Sequence, residues 1–76
     1  AKFRPAFVRY PLELEEKFPI TLLSSTITLT PGTVSAYLTL DGRHLIIHAL
    51  DVEDEQELID EIRQRYERPL KEIFEC

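Results

Sequence analysis

Two histidines are the residues of this sequence that most resemble a metal-binding pair. His44 and His48 lie four positions apart in the run 43–50, whose alternating apolar pattern predicts a strand. Four strand residues span about 13 Å, so the two imidazoles would share a sheet face but could not bind one ion. We therefore expect no metal site and interpret both as surface or interface residues. Because imidazole titrates near neutrality, pH sensing is an open alternative.

The other polar groups offer no catalytic arrangement. The carboxylates of the segment 51–61 suit helix caps and a solvated helix face better than an acid–base pair. Ser24 and Ser25 lack both a nucleophile elbow and a histidine at a recognisable offset. Neither Gly32 nor Gly42 lies in a phosphate-binding pattern. We predict a protein that is not an enzyme and binds no cofactor.

The composition is that of one small globular domain. The chain has 76 residues, of which 43% are hydrophobic, which is enough for one modest core. No apolar run reaches the roughly 18–20 residues that cross a bilayer as a helix. We predict a single soluble domain over 1–76. Its lone cysteine, Cys76, cannot close an internal disulfide, which suits a reducing cytosolic setting.

Charge is unevenly distributed along the chain. Residues 51–76 hold ten acids against four basic residues, whereas residues 1–50 hold five basic residues against four acids. Nucleic acid binding needs a basic face, so we expect no nucleic acid partner. The first ten residues carry Lys2, Arg4 and Arg9 without an acid. That pattern is typical of a chain leaving a membrane on the cytoplasmic side, and also of an ordinary basic N-terminus.

The first half of the chain predicts a strand and a helix. Phe7–Tyr10 is a β-prone run between two prolines, which favours an edge strand. Within 18–30, Ile20, Leu23 and Ile27 have helical spacing, while residues 23–29 also alternate as a strand would. We predict a helix over about 18–26 that runs into extended chain and ends before Pro31-Gly32.

The strongest local signal is a hairpin. The runs 33–40 and 43–50 flank Asp41-Gly42, a pair that can supply positive φ at both central positions of a type I′ turn. With a two-residue loop, the numbers of opposed residues add up to 83. The predicted core face then comprises Val34, Ala36, Leu38, Leu45, Ile47 and Ala49. The other face comprises Ser35, Tyr37, Thr39, His44, Ile46 and His48.

The last third predicts a helix and a terminal turn. Asp51 or Asp54 can cap the helix, and its apolar stripe consists of Leu58, Ile59, Ile62 and Tyr66. Pro69 should end or kink this helix, which leaves a second apolar patch of Leu70, Ile73 and Phe74. The expected fold class is α+β: a small antiparallel sheet, made of an edge strand and the central hairpin, packed against two helices.

Two apolar groups are candidates for contact with a partner. Tyr37 and Ile46 oppose each other on the face turned away from the predicted core. His44 and His48 lie on this same face. If no helix covers that face, these residues form an exposed patch suited to a partner. Leu70 and Phe74 raise the same question at the C-terminus.

Three stretches together resemble the E subunit of the multisubunit Na⁺/H⁺ (Mrp- or Mnh-type) cation/proton antiporters. They are Thr26–Thr33 (TITLTPGT), His48–Asp54 (HALDVED) and Arg65–Phe74 (RYERPLKEIF). Their order and spacing carry the resemblance over nearly the whole chain. Members of that family begin with membrane-spanning helices and end in a cytoplasmic domain.

The resemblance implies the cytoplasmic C-terminal part of a cell-membrane protein. Its expected partners are the other antiporter subunits, with contact to the membrane through N-terminal spanning helices outside this sequence. The implied function is a non-catalytic role in assembly or regulation of the complex, in pH and Na⁺ homeostasis. The resemblance carries no catalytic or ion-binding residue onto this chain. The alternative is a small-ligand or cation-sensing module that uses the face of His44 and His48.

Overall fold

The computed structural model describes residues 4–75, so Lys2 and Cys76 lie outside the described residues. Its elements follow one another without long connections. In chain order they are β1 (Ala6–Pro11), α1 (Lys17–Leu29), β2 (Thr33–Leu38), β3 (His44–Ala49), α2 (Glu55–Ile62), a π-helical turn (Arg63–Glu67) and α3 (Arg68–Phe74). No helix among the described residues is long and apolar enough to cross a bilayer.

The three strands form one antiparallel sheet in the order β1-β3-β2. The predicted edge strand and the α+β class are therefore confirmed. The helices pack against one face of the sheet, and the core lies between the two layers. This core comprises Val8, Tyr10, Leu14, Ile20, Leu23, Ile27, Leu45, Ile47 and Ile62.

Helix α1 is longer than its prediction. It runs to Leu29, so the predicted change to extended chain after residue 26 is wrong. Ile20, Leu23 and Ile27 are all buried against the sheet, and this packing overrides the β propensity of the threonines between them. The hydroxyls of Thr26 and Thr28 donate to carbonyls one turn earlier. The helical spacing was therefore the correct interpretation of this ambiguous segment.

The hairpin has the predicted register but not the predicted turn. Tyr37 pairs with Ile46 and Leu38 with Leu45, as expected. No non-glycine residue among those described has positive φ, whereas Gly42 has a φ of 73°, so the type I′ turn at Asp41-Gly42 is wrong.

A wider loop over residues 40–43 replaces the two-residue turn. The Thr39 amide donates to the His44 carbonyl at 2.9 Å and the Gly42 amide to the Thr39 carbonyl at 3.0 Å. The Asp41 carboxylate accepts from the Arg43 amide at 3.0 Å, a local bond that stabilises a loop without positive φ at Asp41. Because this loop has the same centre, the pairing of the strands is unchanged.

Two of the predicted core residues are not buried. The register shifts between Thr33 and Ser35, so that Thr33 rather than Val34 pairs with Ala49. This bulge leaves Val34 49% exposed, and Leu38 is 43% exposed because the helices cover the edge strand β2 only in part. Leu45, Ile47 and Ala49 are buried, and Ala36 packs against the core.

The C-terminal helix begins as predicted and continues past Pro69. The Asp54 carboxylate accepts from the amides of Gln56 and Glu57 and caps α2. The predicted stripe of Leu58, Ile59, Ile62 and Tyr66 packs in or against the core. Pro69 does not end the helical segment, because α3 extends to Phe74. It lies in the first turn of α3, directly after the widened π turn that interrupts the regular α-helix. A proline has no amide hydrogen to donate, and the helix accommodates it where the hydrogen-bond ladder has already shifted.

Candidate functional site

The sheet face opposite the helices is the candidate site, and we call it the outer sheet face. The strand register places its side chains in adjacent rows, one through Phe7 and His48 and the next through Arg9, Ile46 and Tyr37. All are at least partly accessible, with Phe7 63% and Tyr37 52% exposed. Its members are Phe7, Arg9, Pro11, Ser35, Tyr37, His44, Ile46 and His48. It is an aromatic and apolar patch with a polar rim, as at protein interaction sites.

The two histidines of the outer sheet face have different surroundings. The His48 ring stacks on Phe7 with a centroid distance of 4.3 Å and an interplanar angle of 19°. The Nδ1 atom of His44 lies 3.6 Å from a carboxylate oxygen of Asp41. Within residues 4–75, no group of three or more histidine, cysteine or acidic side chains could hold a metal ion. The two histidines therefore have separate neighbours on this face.

Charge on the outer sheet face differs from that of the chain as a whole. The chain has a net charge of −5, yet Arg9 is the face's one formally charged residue and none of its members is acidic. Asp41 lies at the rim, where hydrogen bonds from the Thr39 hydroxyl and the Arg43 amide lower the pKa of its carboxyl. Arg4 pairs instead with Asp51 and Glu53, each at 3.1 Å. Of the basic residues near the start of the chain, Arg9 thus lies on the outer sheet face, whereas Arg4 does not.

The six predicted contact residues do not form one surface. Tyr37, His44, Ile46 and His48 come together on the outer sheet face. Leu70 packs against the core, so it lies in the helical layer on the opposite side of the sheet. Phe74 also belongs to that layer, and its ring meets Phe18 edge-on at 5.5 Å. Both remain predictions as contact residues, at a location separate from the other four.

Phe7 and Arg9 belong to the outer sheet face, although the predicted contact residues do not include them. Their alternation with the buried Val8 and Tyr10 is a usable signal that they share a face of β1. The local sequence contains no indication that β1 pairs with β3, however, because this contact joins distant parts of the chain. The contact with His48 and Ile46 therefore depends on the tertiary structure.

A buried carboxylate near the C-terminus forms hydrogen bonds with the segment that follows β1. Glu67 is completely buried, and it accepts a hydrogen bond from the Tyr10 hydroxyl. Its second oxygen accepts from the amides of Glu13 and Leu14 at 2.6 and 2.8 Å. Arg63 lies beside it and donates to the Pro11 carbonyl at 2.6 Å. Both carboxylate oxygens have donors, so Glu67 has a structural role.

Glu75 makes a second link of the same kind at the surface. Its carboxylate accepts from the amides of Glu15 and Glu16 at the start of α1. The N-cap residue Glu16 makes no side-chain capping bond of its own. A carboxylate from the C-terminal helix therefore satisfies amides that helix geometry leaves without partners.

Tyr10 should make the domain sensitive to alkali. Burial, and then the hydrogen bond to Glu67, raise the pKa of its hydroxyl above the ordinary value. The unfolded chain releases this proton near pH 10 while the folded chain keeps it, so the stabilisation is complete below about pH 10 and is lost above it. Urea titrations between pH 8 and 11 should show this fall, with a contribution from Tyr10 of up to about 1.4 kcal/mol per pH unit. Tyr10→Phe should remove that contribution; equal pH slopes for the two proteins would contradict it.

Known proteins match almost the whole chain. Residues 1–73 match the family model MNHE, described as Na⁺/H⁺ ion antiporter subunit. A Bacillus subtilis protein, named as the E subunit of a Na⁺/H⁺ antiporter, is 40% identical over 70 residues, which are 92% of this chain and 44% of that protein. A protein of the same name from Alkalihalophilus pseudofirmus is 36% identical, with the same coverage.

A solved structure shares the fold. A chain in the structure of the Mrp complex from Dietzia sp. DQ12-45-1b superposes with a TM-score of 0.72 at 28% identity. The match covers 96% of this chain and 69% of that one. The chain spans less than half the length of the curated relatives above.

Proposed function

This chain belongs to the MNHE family of Na⁺/H⁺ ion antiporter subunits, and from that premise we propose that it is a non-catalytic domain serving the assembly or regulation of a multisubunit cation/proton antiporter. The observation that carries the proposal is the family match over residues 1–73. Its partners in this proposal are the other antiporter subunits, and its cellular role is pH and Na⁺ homeostasis. Fold similarity to a chain of the Mrp complex supports the choice of partners.

In this proposal the domain lies on the cytoplasmic side of the cell membrane. Spanning helices in the remainder of the full-length protein would attach it, and the greater length of the relatives supports this arrangement. The basic residues Arg4 and Arg9 near the start of the chain are consistent with the positive-inside rule.

The chemistry of the domain supports a role in contact rather than in exchange. Glu67, its completely buried acid, has hydrogen-bond donors on both oxygens. The exposed features are an aromatic sheet face and an acidic helix. A domain with such a surface is suited to binding other subunits. The alternative of a ligand- or cation-sensing module has weaker support, since the two histidines face different neighbours.

Deleting residues 1–76 from the full-length subunit tests the proposal. We expect the amount of assembled complex on native gels to fall, or Na⁺-driven proton movement in membrane vesicles to decrease. The first result would indicate assembly; a normal amount of complex with reduced exchange would indicate regulation. A full-length subunit with Leu29→Ala, a change at an 86% exposed residue, serves as the control. Normal assembly together with normal exchange after the deletion would refute the proposal.

A further inference from the structure

We propose that the outer sheet face binds an amphipathic helix of another antiporter subunit, with an apolar stripe on Phe7, Ile46 and Tyr37 and a carboxylate opposite Arg9. The inference rests on the proposed function and specifies the surface that would serve it.

The first argument is the layered construction of the domain. A sheet in a small α+β domain usually buries its apolar side chains against a second layer. Here the helices cover the inner face, where Val8, Leu45 and Ile47 are completely buried. On the outer face, Phe7 and Tyr37 remain more than half exposed on either side of the central strand. Large aromatic side chains in such positions are typical of the buried centre of an interface.

The second argument is charge complementarity. Most acids of this chain lie on the C-terminal helical segment or in the loops, and the outer sheet face contains none. Arg9 forms no ion pair with the residues that the structure describes. The nearby acid, Asp41, already accepts hydrogen bonds from Thr39 and Arg43. A partner carboxylate would therefore find an available guanidinium beside aromatic surface, where a bidentate pair forms readily.

The same features disfavour a second copy of this chain. Face-to-face pairing of two outer sheet faces would bring two Arg9 guanidinium groups towards each other, and the members of these faces include no carboxylate to pair with them. The acidic helix α2 of another copy could supply carboxylates, but that contact is head-to-tail and need not close into a defined oligomer. A helix from a different subunit can supply both an apolar stripe for the aromatic residues and a carboxylate for Arg9.

The shape and the low charge of the face favour a helix over a lipid surface. Extended segments add to the edge of a sheet, whereas helices pack across its face. Recognition of anionic lipid generally requires a cluster of about four to eight basic residues. The outer sheet face offers Arg9 as its permanent cation, which is enough for one directed ion pair.

Photo-cross-linking in the assembled antiporter tests the inference. A photo-reactive phenylalanine analogue is placed at Tyr37 of the full-length subunit, and adducts are identified by mass spectrometry. We expect an adduct with a helical segment of another subunit that carries aspartate or glutamate beside an apolar stripe. The same analogue at Leu29, an 86% exposed residue of α1 in the helical layer, is the matched control and should not give that adduct.

Charge variants of Arg9 test the ion pair separately. In the subunit labelled at Tyr37, Arg9→Glu should reduce the adduct yield about ten-fold, while Arg9→Lys should retain most of it. The matched charge reversal Arg65→Glu, at an exposed residue, should leave the adduct yield unchanged. Equal yields for Arg9→Glu and the parent would overturn the charge argument.

Several outcomes would overturn the inference without touching the proposed function. An adduct of the Tyr37 position with lipid, with a second copy, with another part of its own subunit, or with nothing would each do so. If deletion of residues 1–76 still abolishes assembly in that case, the domain docks by another surface. If the deletion has no effect, the proposed function fails as well.

Discussion

Replacing Glu67 with alanine should lower the free energy of unfolding by about 3–5 kcal/mol. The change removes the acceptor for the Tyr10 hydroxyl and for the amides of Glu13 and Leu14, and it leaves Arg63 with less negative charge nearby. Buried donors without partners carry their full desolvation cost. The total free energy of unfolding of a domain of this length is about 4–11 kcal/mol, so the variant should be close to unfolding. Urea denaturation followed by far-ultraviolet circular dichroism measures the difference.

Two further substitutions separate charge, hydrogen bonding and surface effects. Glu67→Gln keeps one acceptor oxygen and the side-chain volume. Its free energy of unfolding should therefore lie between those of wild type and Glu67→Ala. Glu61→Ala removes an acid of the preceding helical turn that is exposed, and it should change stability by less than about 0.5 kcal/mol. A Glu67→Ala variant within about 1 kcal/mol of wild type would show that the carboxylate is dispensable.

Replacing Leu23 with alanine should lower the free energy of unfolding by about 2–5 kcal/mol. Leu23 is completely buried between α1 and the sheet, so truncation removes apolar burial and leaves a cavity. For a domain of this size the melting temperature should fall by roughly 4–8 °C for each kcal/mol, which differential scanning calorimetry can follow.

Leu29 in the same helix provides the matched control. Leu29→Ala is the same substitution at a residue that is 86% exposed. It should change the free energy of unfolding by less than about 0.5 kcal/mol. Equal effects at Leu23 and Leu29 would contradict the observed packing of α1 and would favour an extended segment there.

The buried carboxylate also bears on the proposed contact surface. Glu67 and Arg63 bind Tyr10 and Pro11 at the end of β1, and β1 carries Phe7 and Arg9 on its outer side. The C-terminal helical segment thereby holds the strand that presents the principal cation of the outer sheet face. Loss of Glu67 should therefore weaken any docking through that face along with stability.

Much of the fold follows from local sequence patterns. Pro11 and the β-prone residues before it indicated an edge strand, Asp54 indicated a helix start, and the spacing of Leu58, Ile59, Ile62 and Tyr66 indicated a buried stripe. The hairpin register was predicted from a two-residue loop at Asp41-Gly42, and most of it is correct because the wider loop has the same centre. Each of these features depends on residues within a few positions of one another. The resemblance of three short stretches to the E subunit of these antiporters was likewise readable, and the family match confirms it.

Other features depend on particular hydrogen bonds and on packing, which the periodicity of the sequence does not specify. The turn type was wrong because Asp41 forms hydrogen bonds with Thr39 and Arg43 instead of adopting positive φ. The exposure of Val34 and Leu38 follows from a bulge and from an edge position that alternation does not reveal. The full length of α1 depends on packing against the sheet, and that packing outweighs local preference.

The sequence by itself determined the α+β class, the edge strand, the hairpin register and the family of this protein. Only the tertiary structure decided that Glu67 is buried against Tyr10, 57 positions away, and that Phe7 and Arg9 join Tyr37, Ile46 and the histidines on one open face. It also separated Leu70 and Phe74 from that face. The physical reason is the same in each case: burial and proximity depend on how the layers pack, and local periodicity specifies only which residues share a side of their own element.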